Sequence, residues 1–195
     1  MKNYSKVFDT FKRNYVAIPL EVFGSDPYKT LVSTIMSART NDDTTLKAAT
    51  RLFEKASDLQ SLGKLSELEI RNLIYPVGFY KTKAKHIQEL SKMITKVPNT
   101  REKLMELPGV GRKTANLVLN RAFKIPAIAV DTHVHKISNI LGWVHTKTPE
   151  QTEKELVKII PKKYWPEMNK LFVSIGRQFT SKKKLEEFLK EKGLI

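Results

Sequence analysis

Cysteine is absent from all 195 residues of the sequence. The chain therefore forms no disulfide, uses no thiolate nucleophile and offers no cysteine ligand to zinc or to an iron–sulfur cluster. Long apolar runs are also missing, and we expect no segment that spans a membrane. A chain of this length buries a sizeable apolar core, so it needs neither a disulfide nor a metal merely to fold.

Acidic residues are scarce: 20 Asp and Glu stand against 35 Lys and Arg, which gives a formal net charge of +15. This surplus indicates a polyanionic partner, because a basic surface that neutralises the phosphates of a nucleic acid releases condensed counterions. The charge alone leaves open a merely soluble basic protein, or one that binds ribosomal RNA or an anionic membrane. Nucleic acid is the interpretation that it favours.

Signals for metals, nucleotides and secretion are missing as well. Three histidines, at positions 133, 135 and 145, lie near one another in sequence, but no carboxylate–histidine spacing is typical of a metal site, and we expect no metal. No Walker or dinucleotide-binding glycine pattern occurs. Residues 1–14 mix charged and aromatic side chains without the apolar segment of a secretory signal, which predicts a cytoplasmic protein, or a nuclear one in a eukaryote.

Helical periodicity dominates the chain, and no segment alternates apolar and polar residues as a half-buried strand would. Asp26, Asn41 and Ser66 are predicted N-caps, each placed directly before a stretch of helical periodicity. The pattern also predicts helices over about 112–123 and 131–141. The predicted fold class is all-α.

A glycine-rich turn, Leu107-Pro108-Gly109-Val110-Gly111, precedes the helix that begins near residue 112. Both glycines are able to take positive φ and leave no side chain in the way, so that amides of the turn and of the helix point outward together. Such an array, at the positive end of a helix dipole, binds a phosphate without reading bases. The predicted DNA-contacting residues are Leu107, Gly109, Val110, Gly111, Arg112 and Thr114. A tight helix–helix turn without a ligand is the alternative.

Two residues near this turn carry candidate chemistry. Lys113 lies in the first turn of the helix, where the helix dipole and Arg112 disfavour a second positive charge, and imine formation requires a neutral amine. Asp131 is predicted to cap the following helix, and a capping carboxylate is held rigidly enough to serve catalysis too. A solvated lysine that touches phosphate, and an aspartate that only caps, are the alternatives.

The motifs LPGVGRKTANLVLN and AIAVDTH closely resemble the signature of the endonuclease III branch of the helix-hairpin-helix DNA glycosylases. The resemblance extends from about Asp26 to Thr180. It implies two α-helical lobes with the active cleft between them. One is a six-helix lobe over residues 25–126, and the other is formed by residues 1–24 and 127–195.

By this resemblance Lys113 is the catalytic lysine and Asp131 the catalytic aspartate. Lys113 attacks C1′ of a flipped-out nucleotide, the damaged base leaves, and the Schiff base permits β-elimination that nicks the strand on its 3′ side. Asp131 stabilises positive charge that develops on the sugar. We thus expect a bifunctional glycosylase and abasic-site lyase of base excision repair. It would act as a monomer on double-stranded DNA that contains an oxidised pyrimidine or an abasic site.

The resemblance also assigns residues to the space that a flipped base leaves. Arg39 and Phe79 occupy the two inserting positions, where many relatives carry glutamine and leucine. Arg39 is able to fork onto guanine acceptors and Phe79 to stack as a wedge, although a core aromatic is the alternative for Phe79. Ser37, Tyr80 and His133 fall near the base pocket. Core packing or a local hydrogen bond is the alternative for Tyr80 and His133.

The C-terminus departs from the family pattern. Relatives commonly follow the Gly-Arg found here at 176–177 with a four-cysteine loop that binds a [4Fe–4S] cluster, whereas this chain continues into Ser181 and three lysines. We expect neither the cluster nor any other cofactor. Lys182 and Lys183 are predicted phosphate contacts, and a solvated helix start is the alternative.

Two other functions stay open at this point. A mismatch glycosylase that removes uracil or thymine would use the same scaffold, and pocket residues around Ser37 and His133 would decide between the two. The other is a non-catalytic helix-hairpin-helix DNA-binding protein. Such a protein has no reason to hold both Lys113 and Asp131, so their joint presence favours an enzyme.

Overall fold

The computed structural model describes residues 3–195; Met1 and Lys2, the start of the N-terminal segment considered above, lie outside them. Every regular element in the described range is helical, which confirms the all-α class. The chain divides into two compact units. We call Pro19–Ile125 the central unit, and the two chain ends, up to Ile18 and from Pro126, the terminal unit. Within residues 3–195 no helix combines the length and the apolar character that crossing a bilayer requires.

The described residues form twelve α-helices and two short 3₁₀ helices, joined by loops. The 3₁₀ helices are Pro19–Phe23 and Lys162–Tyr164. In chain order the α-helices are α1 (Tyr4–Arg13), α2 (Pro27–Ser37), α3 (Asp42–Lys55), α4 (Leu59–Leu62), α5 (Glu67–Ile74), α6 (Tyr80–Met93), α7 (Arg101–Met105), α8 (Arg112–Phe123), α9 (Thr132–Ile140), α10 (Pro149–Ile159), α11 (Trp165–Gln178) and α12 (Lys182–Glu191).

Helix starts follow local capping chemistry, as the sequence predicts. The side chains of Asp26 and Asn41 accept hydrogen bonds from the backbone three residues on, at 3.0 and 2.8 Å. Ser66 and Glu69 form a reciprocal capping box at α5. Helix α4 has no counterpart among the sequence predictions, because its single turn is too short to show a periodicity; its cap is Asp58.

Helix α2 is the centre of the central unit and packs against α3, α6 and α8. All of its residues from Thr30 to Met36 are buried, so its neighbours cover it on every side. The 3₁₀ helix at 19–23 packs on α2 and α3, and the Phe23 and Phe53 rings meet edge to face at 5.1 Å. These contacts place residues 19–24 in the central unit, whereas the sequence assigned them to the other lobe.

The terminal unit is built around aromatic side chains of α1, α11 and the loop after α9. The Phe172 ring lies 5.0 Å from Phe11 and 5.7 Å from Trp143. Helix α12 adds an apolar face to this core through its buried residues, which are Leu185, Phe188 and Leu189. The Phe188 ring also stacks on Phe179 at 4.4 Å. The segment that follows α11, where relatives commonly have a four-cysteine loop, is therefore a packed helix.

Candidate functional site

The hairpin between α7 and α8 is closed by a hydrogen bond that the Val110 N–H donates to the Leu107 carbonyl at 3.1 Å. Gly109 has φ of +76°, a conformation that side chains rarely allow. No side chain caps the first turn of α8, which follows directly. The positive end of the α8 dipole and its first amides are thus left for solvent or for a ligand.

Gly111 differs from Gly109 in its backbone conformation. Its φ is −93°, so of the two glycines only Gly109 uses the positive φ that both are able to take. A Cβ at Gly111 would meet no atom of the protein within 4 Å, and the residue is exposed. Neither backbone conformation nor packing within the chain requires glycine at this position. The open space beside it faces outward.

The hairpin side chains are held by the core of the central unit. Leu107 and Val110 are buried, so only their backbone groups are placed to meet a ligand, while Arg112 and Thr114 are half-buried. At Gly109 an added Cβ would lie 2.8 Å from Nδ1 of His86 on α6. No local pattern pointed to His86, because its contact with Gly109 joins segments more than twenty positions apart.

Lys113 is exposed on the first turn of α8. Within residues 19–125 its ammonium group forms no hydrogen bond and no ion pair. The amine of Lys113 is instead available to a group from outside the protein.

Asp131 is the N-cap of α9, as predicted. Its Oδ1 accepts the Val134 N–H at 2.9 Å, which fixes the carboxylate on the helix. Among residues 3–195 no hydrogen bond reaches its Oδ2. The side chain is half-buried, so Oδ1 is committed to the helix cap and Oδ2 is left to accept a hydrogen bond from another partner. Asp131 belongs to the terminal unit and Lys113 to the central unit.

Near Asp131, His133 packs against the backbone of α11. A Cβ at Gly176 would lie 2.1 Å from Nδ1 of His133, so only glycine lets the ring occupy this place. The two residues line a cavity of about 180 Å³ together with Thr132, Lys136 and Thr180. The role of Gly176 was not predicted from the sequence, because it depends on the close approach of His133, which lies on another helix.

Two other residues assigned to the base pocket make ordinary local contacts. The Ser37 hydroxyl donates to the Thr34 carbonyl at 2.9 Å, a bond typical of serine near a helix end. The Tyr80 ring meets Tyr75 edge to face at 5.3 Å. Both residues are half-buried, so a role in the pocket stays a prediction.

Arg39 and Phe79 stand together on two neighbouring turns of the central unit. Both have left-handed backbone conformations, with φ of 54° and 56°. The Arg39 guanidinium carbon lies 5.6 Å from the centre of the Phe79 ring, in the range of a cation–π contact. Phe79 is 61% exposed, so the alternative of a core aromatic is wrong.

The lysines of α12 have partners on their own helix. Lys182 lies 3.6 Å from Glu186 and Lys183 lies 4.0 Å from Glu187, both one turn further on. Such exposed pairs are weak and do not prevent contact with phosphate. They are nevertheless typical of a solvated helix start.

The residues after α11 do not fit a four-cysteine cluster. Thr180 and Ser181 lead directly into α12, and the sequence supplies no thiolate anywhere in the chain. Across residues 3–195, no three side chains of His, Asp or Glu stand close enough together to hold a metal ion.

Comparison with known sequences decides the family. The sequence model of the HhH-GPD superfamily base excision DNA repair proteins matches residues 32–162. The chain belongs to this superfamily. Endonuclease III of Thermotoga maritima is 47% identical over 159 residues, which are 79% of this chain and 75% of that protein. The chain is accordingly a DNA glycosylase of base excision repair.

Solved structures agree with this assignment. The chain is similar to endonuclease III in a trapped covalent intermediate with DNA, with a TM-score of 0.78 and 33% identity over 93% of this chain and 89% of that one. A thermostable thymine-DNA glycosylase has a TM-score of 0.81 at 21% identity, covering 97% of this chain and 90% of that one, and shows the fold alone. The resemblance drawn from the two sequence motifs is confirmed.

Proposed function

We propose that the chain is a bifunctional DNA glycosylase and abasic-site lyase that acts on double-stranded DNA containing an oxidised pyrimidine or an abasic site. The observation that carries the proposal is the exposed amine of Lys113, which has no partner within the central unit and follows directly on a hairpin with outward amides. Endonuclease III relatives that were solved on DNA, and the net charge of +15, support DNA as the partner.

Chemistry starts from a nucleotide turned out of the stack, since C1′ is not accessible within it. The neutral amine of Lys113 forms a bond to C1′, the glycosidic bond breaks, and its electron pair leaves with the base, which takes up a proton. Opening of the sugar ring gives the Schiff base. Loss of a C2′ proton then breaks the bond to the 3′ phosphate, and water releases Lys113 from the product.

The proposal assigns the charge-stabilising role to Asp131. Its Oδ2, which the cap leaves without a hydrogen bond among the described residues, stabilises the positive charge that develops as the base departs. Because Oδ1 is fixed by Val134, the carboxylate needs no reorganisation when that charge appears. The arrangement requires Lys113 and Asp131 to reach one substrate.

The hairpin binds the DNA backbone in this proposal, with a phosphate in the open space beside Gly111. Arg39 and Phe79 fill the gap that the flipped base leaves. We further propose that the enzyme is a monomer and works without an iron–sulfur cluster, because its reacting groups are an amine and a carboxylate. The expected location is the cytoplasm, or the nucleus in a eukaryote.

One alternative reaction shares the scaffold. Removal of a mismatched thymine or uracil is favoured by arginine at position 39, in place of the glutamine that many relatives carry, because a guanidinium is able to fork onto the acceptors of the guanine opposite the removed base. This alternative differs in the base that is accepted, not in the fold.

Borohydride trapping tests the proposal. Oligonucleotides with thymine glycol, uracil, a T·G mismatch or an abasic site are incubated with the protein. Borohydride then reduces any Schiff base between protein and DNA, and the yield of covalent adduct is measured. We expect adduct on thymine glycol and on the abasic site, and none with Lys113→Ala. Lys64→Ala, at another exposed lysine of the central unit, is the control. Undiminished adduct with Lys113→Ala would reject the assignment.

A further inference from the structure

A buried ammonium lies beneath the turn that carries Arg39. Lys83, on α6, is only 6% exposed, and no step of the proposed chemistry uses it. Its Nζ donates to the carbonyl of Met36 at 2.7 Å, to the carbonyl of Ala38, and to the Thr40 hydroxyl at 3.2 Å. The three protons of the ammonium thus have three acceptors.

These acceptors stand at the end of α2, where helix carbonyls lack partners and the dipole is negative. Ala38 and Thr40 are the two sequence neighbours of Arg39. The ammonium therefore holds the backbone on both sides of Arg39. Burial lowers the pKa of Lys83 to about 8, which shows that the charge is kept here against a cost in desolvation.

The same turn is joined to the one that carries Phe79. The Gly78 N–H donates to the Thr40 hydroxyl at 3.0 Å, and a Cβ at Gly78 would lie 2.7 Å from the Arg39 carbonyl oxygen. The two turns, residues 37–40 and 75–79, therefore pack backbone to backbone. We call them the paired turns.

Both tips of the paired turns hold a backbone conformation that costs energy. Arg39 and Phe79 have positive φ, which is unfavourable for a residue with a Cβ. Such conformations persist only where surrounding contacts determine them. The bonds of Lys83 and Thr40 are contacts of this kind.

We propose that Lys83 is a positioning residue that fixes Arg39 and Phe79 as one preformed pair, ready to enter a duplex from which a nucleotide has been turned out. Lys83 itself does not contact DNA. This inference rests on the proposed function, because the pair needs a gap in the stack to fill. Because the two turns are already ordered before binding, no conformational entropy is lost in ordering them on the DNA, and affinity for the opened duplex is higher.

The test compares two affinities of each variant. Dissociation constants are measured for a duplex that contains tetrahydrofuran, a stable abasic-site analogue, and for an intact duplex of the same sequence. Lys83→Met keeps length but removes all donors, and Lys83→Arg keeps a charge and donors. The control is Lys85→Met, at an exposed position two residues on in the same helix.

We expect Lys83→Met to reduce the preference for the tetrahydrofuran duplex about tenfold, a change of about 1.4 kcal/mol, with affinity for the intact duplex unchanged. Lys83→Arg should restore most of the preference, and Lys85→Met should keep all of it. Trapping on a single-stranded abasic oligonucleotide, which has no stack to fill, should stay at the wild-type level in Lys83→Met. A residue that served the fold alone would not change the ratio of the two affinities.

Thr40→Val is the second variant, should Lys83→Met fail to fold. It removes the hydroxyl that joins Lys83 to Gly78 while conserving shape, and we expect a smaller loss of preference in the same direction. A folded Lys83→Met or Thr40→Val with unchanged preference, or with equal losses on both duplexes, would overturn the inference. Failure of the wild type to give any trapped adduct would instead reject the proposed function.

Discussion

The two units begin their key helices in opposite ways. In the central unit, α8 starts at a bare glycine and no side chain caps its first turn. In the terminal unit, the cap of α9 is Asp131, whose Oδ1 accepts the Val134 N–H. A helix N-terminus attracts negative charge in either case. At α8 the negative charge has to come from a ligand, whereas at α9 the Asp131 carboxylate supplies it.

In the proposed mechanism, the two kinds of helix start have different tasks. The open start of α8 suits a phosphate, which brings its own charge and leaves again. The capped start of α9 suits a carboxylate that must stay in one place when charge develops on a sugar. The units differ inside as well. An aromatic core supports the carboxylate, while a buried ammonium at Lys83 supports the paired turns.

The largest effect is expected at the capped start. Asp131→Asn keeps a good N-cap but removes the charge, so base excision should slow by about 10²–10³-fold with little change in melting temperature. Asp131→Ala loses the cap as well and should cost about 1 kcal/mol of stability in addition. Single-turnover kinetics and thermal unfolding measure the two effects.

Asp58→Ala is the matched control, since Asp58 caps α4 and is assigned no chemistry. It should lower stability without slowing excision. If Asp131→Asn kept the wild-type rate, Asp131 would serve only as the cap of α9. The catalytic role proposed for its carboxylate would then be rejected.

The aromatic core of the terminal unit comes next. Phe188→Ala removes a buried ring of α12 that stacks on Phe179, and we expect a loss of about 3–5 kcal/mol in the free energy of unfolding. Lys190→Ala, on the exposed side of the same helix, should change it by less than about 0.5 kcal/mol. Urea unfolding measures both values. Equal free energies of unfolding for the two variants would show that the packing of α12 does not stabilise this unit.

At the open start of α8, Gly111→Ala tests what the glycine is for. A Cβ there meets nothing in the protein, so stability should be preserved, while the approach of a phosphate should be hindered. We expect affinity for every duplex sequence to fall about tenfold, which corresponds to roughly 1.4 kcal/mol. Fluorescence anisotropy with several duplexes measures this.

Gly63→Ala, in an ordinary helical conformation after α4, is the control for the change of residue. Gly109→Ala should instead destabilise the fold, because of its positive φ and the nearby His86 ring. Loss of affinity for only some sequences after Gly111→Ala would argue against a contact with the DNA backbone.

A pH-dependent effect is expected for the ammonium beneath the paired turns. The pKa of Lys83 is lowered from its ordinary 10.5 to about 8, so between these values the unfolded chain binds more protons at this residue than the folded one. Stability of the wild type relative to Lys83→Met should therefore rise with pH across this window, by at most about 1.4 kcal/mol per pH unit. Below pH 8 the difference should be constant.

Urea unfolding at several pH values measures this difference. Arg39 and His86 line the same cavity of about 290 Å³ as Lys83, and both are present in the two proteins that are compared. A difference that fell with rising pH would mean that the ammonium is favoured by its surroundings, not disfavoured by burial.

Local signals in the sequence predicted the helix starts and the hairpin. Asp26, Asn41 and Asp131 were identifiable as caps because a cap bonds to amides only two or three positions away. The bounds of α8 and the positive φ of Gly109 follow from the same short-range rules. The motifs around Lys113 and Asp131 predicted the family.

Tertiary structure alone decided which groups support the site. Lys83 reaches carbonyls some 45 residues away, Gly176 admits a ring from another helix, and Phe79 is exposed because its turn packs against residues 37–40. No local pattern encodes such contacts. They depend on where distant segments meet, and that is set by the packing of the whole unit rather than by the neighbours of each residue along the chain.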